Sequence, residues 1–271
     1  AAILYQGLTS AGAKVLPYIP HREKEGYGLS RQGLEFARDS GASLIITTDT
    51  GIVSFEMADF AKSLGLDLII TDHHQKDGGK LPKAHSIVHS IKLCGAAVSF
   101  CLVRELIGKT KAEELLDFVA LATISDMMPL IGVNRAIVYE GLKKLNLTKR
   151  VGWLALFEEA GLAAGKISSY EIGHVIAPNL NAMGRLEHAI DSLRLLCTKD
   201  PVKARKLADL AAETNEERKA LTASAVEEAK LMVFGSRSKI HILASEKWSS
   251  GIIGLVAGRI CDETNLSTVA I

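Results

Sequence analysis

The sequence has 271 residues, enough for one large domain or two smaller ones, and its 48% hydrophobic content allows a sizeable buried core. A formal net charge of +1 gives no general basic character, so any surface that binds nucleic acid must be local. No apolar run is long enough to cross a membrane. The four cysteines form no CxxC pair and suggest no disulfide framework, which favours a reduced, cytoplasmic protein.

The first fifty residues are expected to alternate strands and helices. The sequence predicts a strand over Val15–Ile19, followed by a charged loop that contains glycines. A helix should begin after Ser30, a capping residue, and end at Gly41, and a second strand should follow over Leu44–Thr48. Together with the next helix and strand, this order predicts an α/β fold with a doubly wound parallel sheet.

One βαβ unit holds the densest cluster of functional groups. It comprises a strand, a helix and a second strand, at Leu44–Thr48, Val53–Leu64 and Leu68–Thr71. The strands end on Asp49 and Asp72, and His73 and His74 follow the second acid directly. Neighbouring parallel strands lie ~4.8 Å apart, and their carboxyl ends open into one crevice. Two carboxylates and two imidazoles at this edge indicate a metal site.

Helices are expected to dominate the middle of the chain. A short strand at Ser86–Val88 should precede apolar helices over Cys94–Leu106 and Glu113–Ile124, and Asp126 follows the second helix. An acid in that position caps the next turn unless it reaches the crevice of the sheet. Four basic residues are interpreted as a solvated face rather than a DNA-binding surface: Lys143, Lys144, Lys149 and Arg150.

The last part of the chain should form a connector and a second α/β unit. Asp200 and Pro201 start a long helix that runs to about Val233, and its largely polar surface suits a link between domains. A strand over Lys239–Ala244 and a helix over Ile252–Cys261 should come next. The predicted divisions are residues 1–199, 200–235 and 236–271.

Six motifs in register resemble the RecJ branch of the DHH phosphoesterase superfamily, the single-strand-specific exonucleases. They are TDTGI with TDHH, EGYGL, LCGAAVSF, LATISDMMPL, APNLNAMGRL and WSSGIIGLVAGR. The resemblance runs over nearly the whole chain in the family's order. It implies a DHH domain over residues 1–199, joined by a long helix over 200–235 to a smaller α/β DHH-associated domain that starts within 236–271.

The resemblance also implies a two-metal phosphodiesterase that uses two Mn²⁺ or Mg²⁺ ions. Asp49 matches the metal-bridging aspartate, and Asp126 matches the last metal-binding aspartate. Asp72 and His73 match the start of the DHH motif, so the implied metal ligands are Asp49, Asp72, His73 and Asp126. A set of oxygen ligands with one or two imidazoles suits Mn²⁺ or Mg²⁺ better than Zn²⁺.

Other residues are implied to act on the substrate. His74 matches the histidine placed near the scissile phosphate, and it is expected to be catalytic with Asp49 and Asp126. Asn181 and Arg185 match residues that face substrate phosphate. Trp248 is a further candidate for substrate binding, since an indole can stack on a base, although the default for such a residue is a core or hinge aromatic.

The sequence also departs from the family's usual pattern. The family's first motif is expected to lie before Ala1, and the glycine-rich motif of its second domain after Ile271. Thr50 stands where the family commonly has Asn or Cys, and His21 stands where it commonly has Asn. Asn179 replaces a frequent Arg, and Ser249 replaces the usual His.

Three functions compete at this stage. The favoured one is a 5′→3′ exonuclease on single-stranded DNA that acts in DNA repair and recombination, with replication or repair proteins as partners and no membrane. The second is a DHH-family phosphoesterase that acts on short oligonucleotides or cyclic dinucleotides. The third is a non-catalytic DHH-fold replication scaffold. The intact acids and histidines argue against the scaffold, and the long connector with the WSSGIIG turn argues against the small substrate.

Overall fold

The computed structural model describes residues 1–186, 188–234 and 238–271, apart from the side chains of residues 22 and 23. The amino-terminal part contains, in chain order, α1 (Ala2–Ser10), α2 (Arg22–Glu25), α3 (Arg31–Asp39), β1 (Leu44–Ile46), α4 (Phe55–Ser63), β2 (Asp67–Asp72) and β3 (Ser86–His89). The strands pair in the order β1-β2-β3, and both pairs are parallel. The predicted βαβ unit is therefore confirmed, with a shorter first strand and a longer second one.

Helices cover both faces of this sheet. Leu68 and Ile70 of β2 pack with Ala58 of α4 on one face. On the other face, Thr71 of β2 hydrogen-bonds Ser99 in the following helix. Successive side chains of a strand point to opposite faces, so a strand buried on both sides needs apolar or satisfied groups at every position. The expected α/β fold with a doubly wound sheet is confirmed.

The strand expected over Val15–Ile19 does not form. No backbone hydrogen bond joins residues 14–20 to another backbone group in the described part of the chain. Instead, the Tyr18 ring packs on Phe36 with centroids 5.2 Å apart, and the Tyr18 hydroxyl donates to Glu25. A strand is defined by its ladder, so a β-prone run without a paired neighbour remains irregular.

A helical region follows the sheet and holds the largest core. It contains α5 (Gly95–Ile107), α6 (Lys109–Ala112), a 3₁₀ turn (Glu113–Leu115), α7 (Leu116–Ser125), α8 (Gly132–Asn146), α9 (Val151–Glu159), α10 (Ser169–Glu171), a π-helical segment (Ile172–Ile176), α11 (Ala177–Leu186) and α12 (Ile190–Cys197). Trp153 of α9 is fully buried at its centre and stacks on Phe118 and Phe157, with ring centroids 5.8 and 6.0 Å apart.

The basic cluster divides between surface and interior. Lys143 and Lys144 form surface ion pairs with Glu140 and Glu114, as expected of a solvated face. Arg150 differs, because its Nε lies 3.0 Å from Oδ2 of the buried Asp117. The assignment of Arg150 to the solvated face was wrong, because a buried carboxylate requires a partner and Arg150 supplies it.

The carboxyl-terminal part consists of α13 (Pro201–Val233), β4 (Ile240–Leu243), α14 (Ile253–Thr264) and β5 (Ser267–Ala270), with β4 and β5 parallel. Asp200 caps α13 by accepting hydrogen bonds from the N–H groups of Val202 and Lys203. A helix of 33 residues is about 50 Å long. Such a length lets α13 contribute to two separate cores.

The two halves of α13 pack into different cores. Ala204, Ala208 and Ala211 lie in the large helical core with Trp153. The other half belongs to what we call the small core, made of Ala225, Val226, Ala229, Leu243, Trp248, Ile252, Val256 and Ile260. The connector over residues 200–235 stays a prediction, and its proposed boundary between residues 235 and 236 lies outside the described residues. Among the described helices, none is both long enough and apolar enough for a membrane span.

Candidate metal centre

Asp49 is held at the carboxyl end of β1 by backbone contacts. Its N–H donates to Thr71 O at 2.9 Å, which continues the parallel ladder beyond the strand. Its φ is 64°, a left-handed conformation that residues other than glycine adopt at a cost of about 1–3 kcal/mol. The Tyr27 hydroxyl donates to Asp49 O at 2.7 Å and helps to hold this conformation. The carboxylate therefore stands at a defined place in the crevice.

His73 lies between two carboxylates from distant parts of the chain. Its Nε2 is 2.9 Å from Asp49 Oδ1 and 3.5 Å from Asp126 Oδ2. Asp126 follows the last turn of α7, and the next residue, Met127, has a φ of 49° that turns the chain away. Asp126 thus reaches the crevice of the sheet, which goes beyond the role of a simple cap.

Asp72 is the predicted ligand whose contacts differ from the expectation. It is 1% exposed, and its Oδ2 accepts a hydrogen bond from Ile52 N–H. Its Oδ1 accepts from the N–H groups of His73 and His74 and contacts His74 Nδ1 at 2.7 Å. Direct ligation by Asp72 stays a prediction: both of its oxygens accept hydrogen bonds, and Oδ1 also holds the His74 ring.

The pKa values of the two strand-end acids, Asp72 and Asp49, are shifted in opposite directions. Burial tends to raise the pKa of Asp72, but the hydrogen bonds from Ile52, His74 and His73 outweigh it and hold the pKa below its usual range. Desolvation raises the pKa of Asp49, although about half of its side chain is exposed. The negative charges of Asp126 and Asp72 add to that rise, and a bound cation would offset them.

The donor atoms fit a divalent cation. One ligand atom each from Asp49, His73 and His74 all lie within 4.8 Å of one another. Asp126 joins this group through its contact with His73. Carboxylate oxygens and imidazole nitrogens without sulfur suit Mn²⁺ or Mg²⁺. His74, expected only near the phosphate, thus also stands within reach of an ion.

The expected substrate residues lie in different settings. Asn181 is exposed on α11, and within the described residues no hydrogen bond connects it to Asp49 or His73. Arg185, at the end of α11, donates from Nη1 to Gly251 O at 2.7 Å. That bond ties α11 to the turn before α14. One nitrogen of the guanidinium is therefore committed to a contact between the two parts of the molecule.

Trp248 does not stand open for stacking. It is 8% exposed in the small core, and its Nε1 donates to Glu228 Oε2 at 3.1 Å. Trp248 thus lies where a core aromatic would lie, and its contact with a base stays a prediction. Sequence reasoning missed Tyr27, whose position in the EGYGL motif was the available signal.

Comparisons with known proteins find similar sequences and a similar fold. The profile of the DHH family, N-terminal domain, matches residues 1–123. The single-stranded-DNA-specific exonuclease RecJ of Bacillus subtilis is 38% identical over 272 residues, covering 96% of this chain and 34% of that protein. The Escherichia coli enzyme of the same name is 32% identical, covering 99% of this chain and 52% of that protein.

Solved structures match over almost the entire chain. A crystal structure of exonuclease RecJ bound to manganese has a TM-score of 0.88 at 33% identity, covering 99% of this chain and 71% of that one. RecJ from Thermus thermophilus in complex with Mn²⁺ has a TM-score of 0.87 at 30% identity, covering 100% and 41%. The chain spans about half the length, or less, of the curated relatives named above. By its fold, its motifs in register and these similarities, the chain belongs to the RecJ-type branch of the DHH phosphoesterase superfamily.

Proposed function

We propose that this chain forms the catalytic core of a metal-dependent 5′→3′ exonuclease that hydrolyses the phosphodiester bonds of single-stranded DNA. The observation that carries the proposal is the meeting of Asp49, Asp126 and His73 at the carboxyl edge of the parallel sheet. The names of the relatives supply the substrate, and their structures with manganese or magnesium supply the cofactor. DNA repair and recombination in the cytoplasm, with replication or repair proteins as partners, belong to the same proposal.

Three residues of the metal centre are assigned to binding ions, and His74 is assigned to the substrate phosphate. Two Mn²⁺ or Mg²⁺ ions, when bound, would stabilise the attacking and departing oxygens of an in-line displacement at phosphorus. Asp49, Asp126 and His73 would hold them, and His73 must be neutral to do so.

His74 is oriented for contact with the substrate phosphate. Its Nδ1 is 2.7 Å from Asp72 Oδ1, so a proton on Nδ1 is donated to that carboxylate. The other ring nitrogen then donates a hydrogen bond when the ring is doubly protonated and accepts one when it is neutral. We assign this nitrogen to a non-bridging phosphate oxygen of the substrate. The doubly protonated ring would donate a hydrogen bond to that oxygen and stabilise its negative charge in the transition state.

The first test separates ion binding from turnover. Asp49→Ala should abolish both Mn²⁺ binding and hydrolysis, whereas His74→Ala should keep most Mn²⁺ affinity and lose about 10²- to 10⁴-fold in rate. Isothermal calorimetry with Mn²⁺ and single-turnover hydrolysis measure the two effects, and Asp77→Ala, which removes an exposed loop acid, is the control. Equal loss of Mn²⁺ in both variants would make His74 a metal ligand instead.

The second test concerns the substrate. End-labelled oligonucleotides with free 5′ ends, single-stranded or blunt duplex, are digested with Mn²⁺ beside a dinucleotide. The proposal expects shortening of the single strand from its 5′ end and little attack on the duplex. Activity should also weaken as salt rises, since affinity would depend on phosphate contacts. Faster turnover of the dinucleotide would favour the small-substrate phosphoesterase.

A further inference from the structure

The helix α5 touches the chain immediately before both strand-end acids. Its Ser99 is fully buried, with Oγ 2.9 Å from Thr48 Oγ1 and 2.9 Å from Thr71 Oγ1. Thr48 precedes Asp49, and Thr71 precedes Asp72. One hydroxyl therefore links the ends of β1 and β2 at the level of the candidate metal centre.

The hydrogen bonds among these three hydroxyls can run in only one direction. Thr71 Oγ1 donates to Thr47 O at 2.7 Å, so its proton is used. Ser99 must then donate to Thr71 Oγ1 and accept from Thr48 Oγ1, because each hydroxyl has one proton. The bonds run in a single direction, and removing the middle hydroxyl would leave the buried Thr71 without its donor.

Gly95, one turn before Ser99 on the same side of α5, leaves room for Asp49. A Cβ at position 95 would lie 2.4 Å from Asp49 Oδ1, 2.6 Å from its Cβ and 2.7 Å from its Cγ. Asp49 cannot retreat easily, since its N–H is bonded to Thr71 O and its carbonyl accepts from Tyr27. Any side chain at position 95 would therefore displace the carboxylate that contacts His73.

The N-cap residue of α5 also contacts α7, the helix that Asp126 follows. Cys94 Sγ lies 3.4 Å from Thr123 Oγ1 of α7. Thr123 is buried and precedes Asp126 by three residues, about one helical turn. The amino-terminal end of α5 is thus in contact with the supports of Asp49, Asp72 and Asp126.

We propose that Ser99 and Gly95 are positioning residues of the metal centre. Ser99 keeps the ends of β1 and β2 in register, so that Asp49 and the Asp72–His74 segment stay at a fixed separation. Gly95 lets the Asp49 carboxylate lie against α5 with its oxygen directed at His73. This inference rests on the metal centre of the proposed function and names the residues that hold its geometry.

Mn²⁺ affinity of the intact chain, measured by calorimetry, tests this directly. Ser99→Ala should weaken Mn²⁺ binding by about 10- to 100-fold, the usual cost of losing a residue that supports a ligand. Ser192→Ala is the matched control, because its hydroxyl donates to Leu180 O within the helical region, away from the acids. It should bind Mn²⁺ as the unaltered chain does. Equal affinities of the two variants would overturn the role of Ser99.

Gly95→Ala provides a second test. The added methyl group would meet Asp49, so Mn²⁺ affinity should fall at least as far as in Ser99→Ala, and circular dichroism of the apo protein checks that the variant remains folded. Gly254→Ala in α14 is the control, because the described residues place nothing within 4 Å of the added methyl group apart from its chain neighbours and the backbone of its own helix. Unchanged Mn²⁺ affinity in Gly95→Ala would overturn its positioning role.

The unaltered chain separates the two proposals. If it binds Mn²⁺ without degrading single-stranded DNA, the nuclease proposal fails, and the variants still decide the roles of Ser99 and Gly95. If it binds no Mn²⁺, the metal centre is absent and both proposals are overturned.

Discussion

Hydrogen bonds stabilise the ionised form of the Asp72 carboxyl group. The N–H groups of Ile52, His73 and His74 and the His74 ring surround its two oxygens. An asparagine in its place keeps one acceptor oxygen and brings an NH₂ group against these donors. The site is therefore specific for a carboxylate, which matters for folding as well as for the orientation of His74.

We predict that Asp72→Asn lowers the free energy of unfolding by on the order of 3 kcal/mol, because hydrogen bonds to a charged group are lost and buried donors remain unpaired. Urea denaturation of the apo protein at neutral pH measures the change. Asp77→Asn, on an exposed loop, is the matched control and should lie within about 0.5 kcal/mol of the unaltered chain. A similarly small change for Asp72→Asn would contradict the role given to these bonds.

The pH dependence of stability provides a separate prediction for Asp72. Its pKa is lowered in the folded state, so its stabilising contribution is present above the usual aspartate pKa of about 3.9. That contribution should disappear as the pH falls through the lowered pKa. Unfolding free energies measured from pH 7 downwards should therefore converge for Asp72→Asn and the unaltered chain. Curves that stay parallel would exclude this linkage.

Between elements, the contact of α7 with α9 depends on a buried charge. Asp117 of α7 accepts a hydrogen bond from Trp153 Nε1 at 2.9 Å and pairs with Arg150, the residue before α9. Arg150 also donates to Gln6 and to Glu114 O. Burial raises the pKa of Asp117, and Arg150 is the main group that opposes the rise. Removing Arg150 would leave this carboxylate buried without its cation.

We predict that Arg150→Met lowers the free energy of unfolding by about 3 kcal/mol at neutral pH. Because the folded pKa of Asp117 is raised, the native state is penalised as pH rises through that pKa, and the penalty grows without Arg150. The deficit should therefore shrink at acid pH. Chemical denaturation across pH tests this, with the exposed neighbour Lys149→Met as the control. A deficit independent of pH would show that packing alone was lost.

At the scale of the whole molecule, α13 connects two cores of unequal size. The small core rests on one half of that helix, and Trp248 anchors it through Glu228. The Arg185–Gly251 hydrogen bond is a second connection between the two parts. With few buried side chains of its own, the small core should open more readily than the large one.

We predict that Trp248→Ala destabilises the small core by about 3–5 kcal/mol and leaves the parallel sheet intact. Hydrogen exchange should show lost protection in β4, β5 and α14, with β1–β3 unchanged. Trp248→Phe, which keeps most of the buried volume, is the control and should retain protection. Loss of protection throughout the chain would indicate one cooperative unit. Unaltered exchange would contradict the burial of Trp248.

Local patterns in the sequence were enough to predict the features that depend on neighbouring residues. The βαβ unit followed from its periodicity, and the start of α13 from Asp200 and Pro201, since caps and periods are local. The acids at the strand ends could be expected to meet because parallel strands share an edge. That Asp126 belongs with them came from the family's motif order. The roles of these residues toward a metal stay predictions.

Contacts between residues far apart in the chain could not be predicted in this way. No local signal showed that Val15–Ile19 lacks a ladder partner or that Arg150 pairs with Asp117. The same holds for Ser99, whose hydroxyl joins two strand ends from a helix that follows them. Pairing, burial and hydrogen-bond satisfaction depend on residues far apart in sequence, and packing brings those residues together.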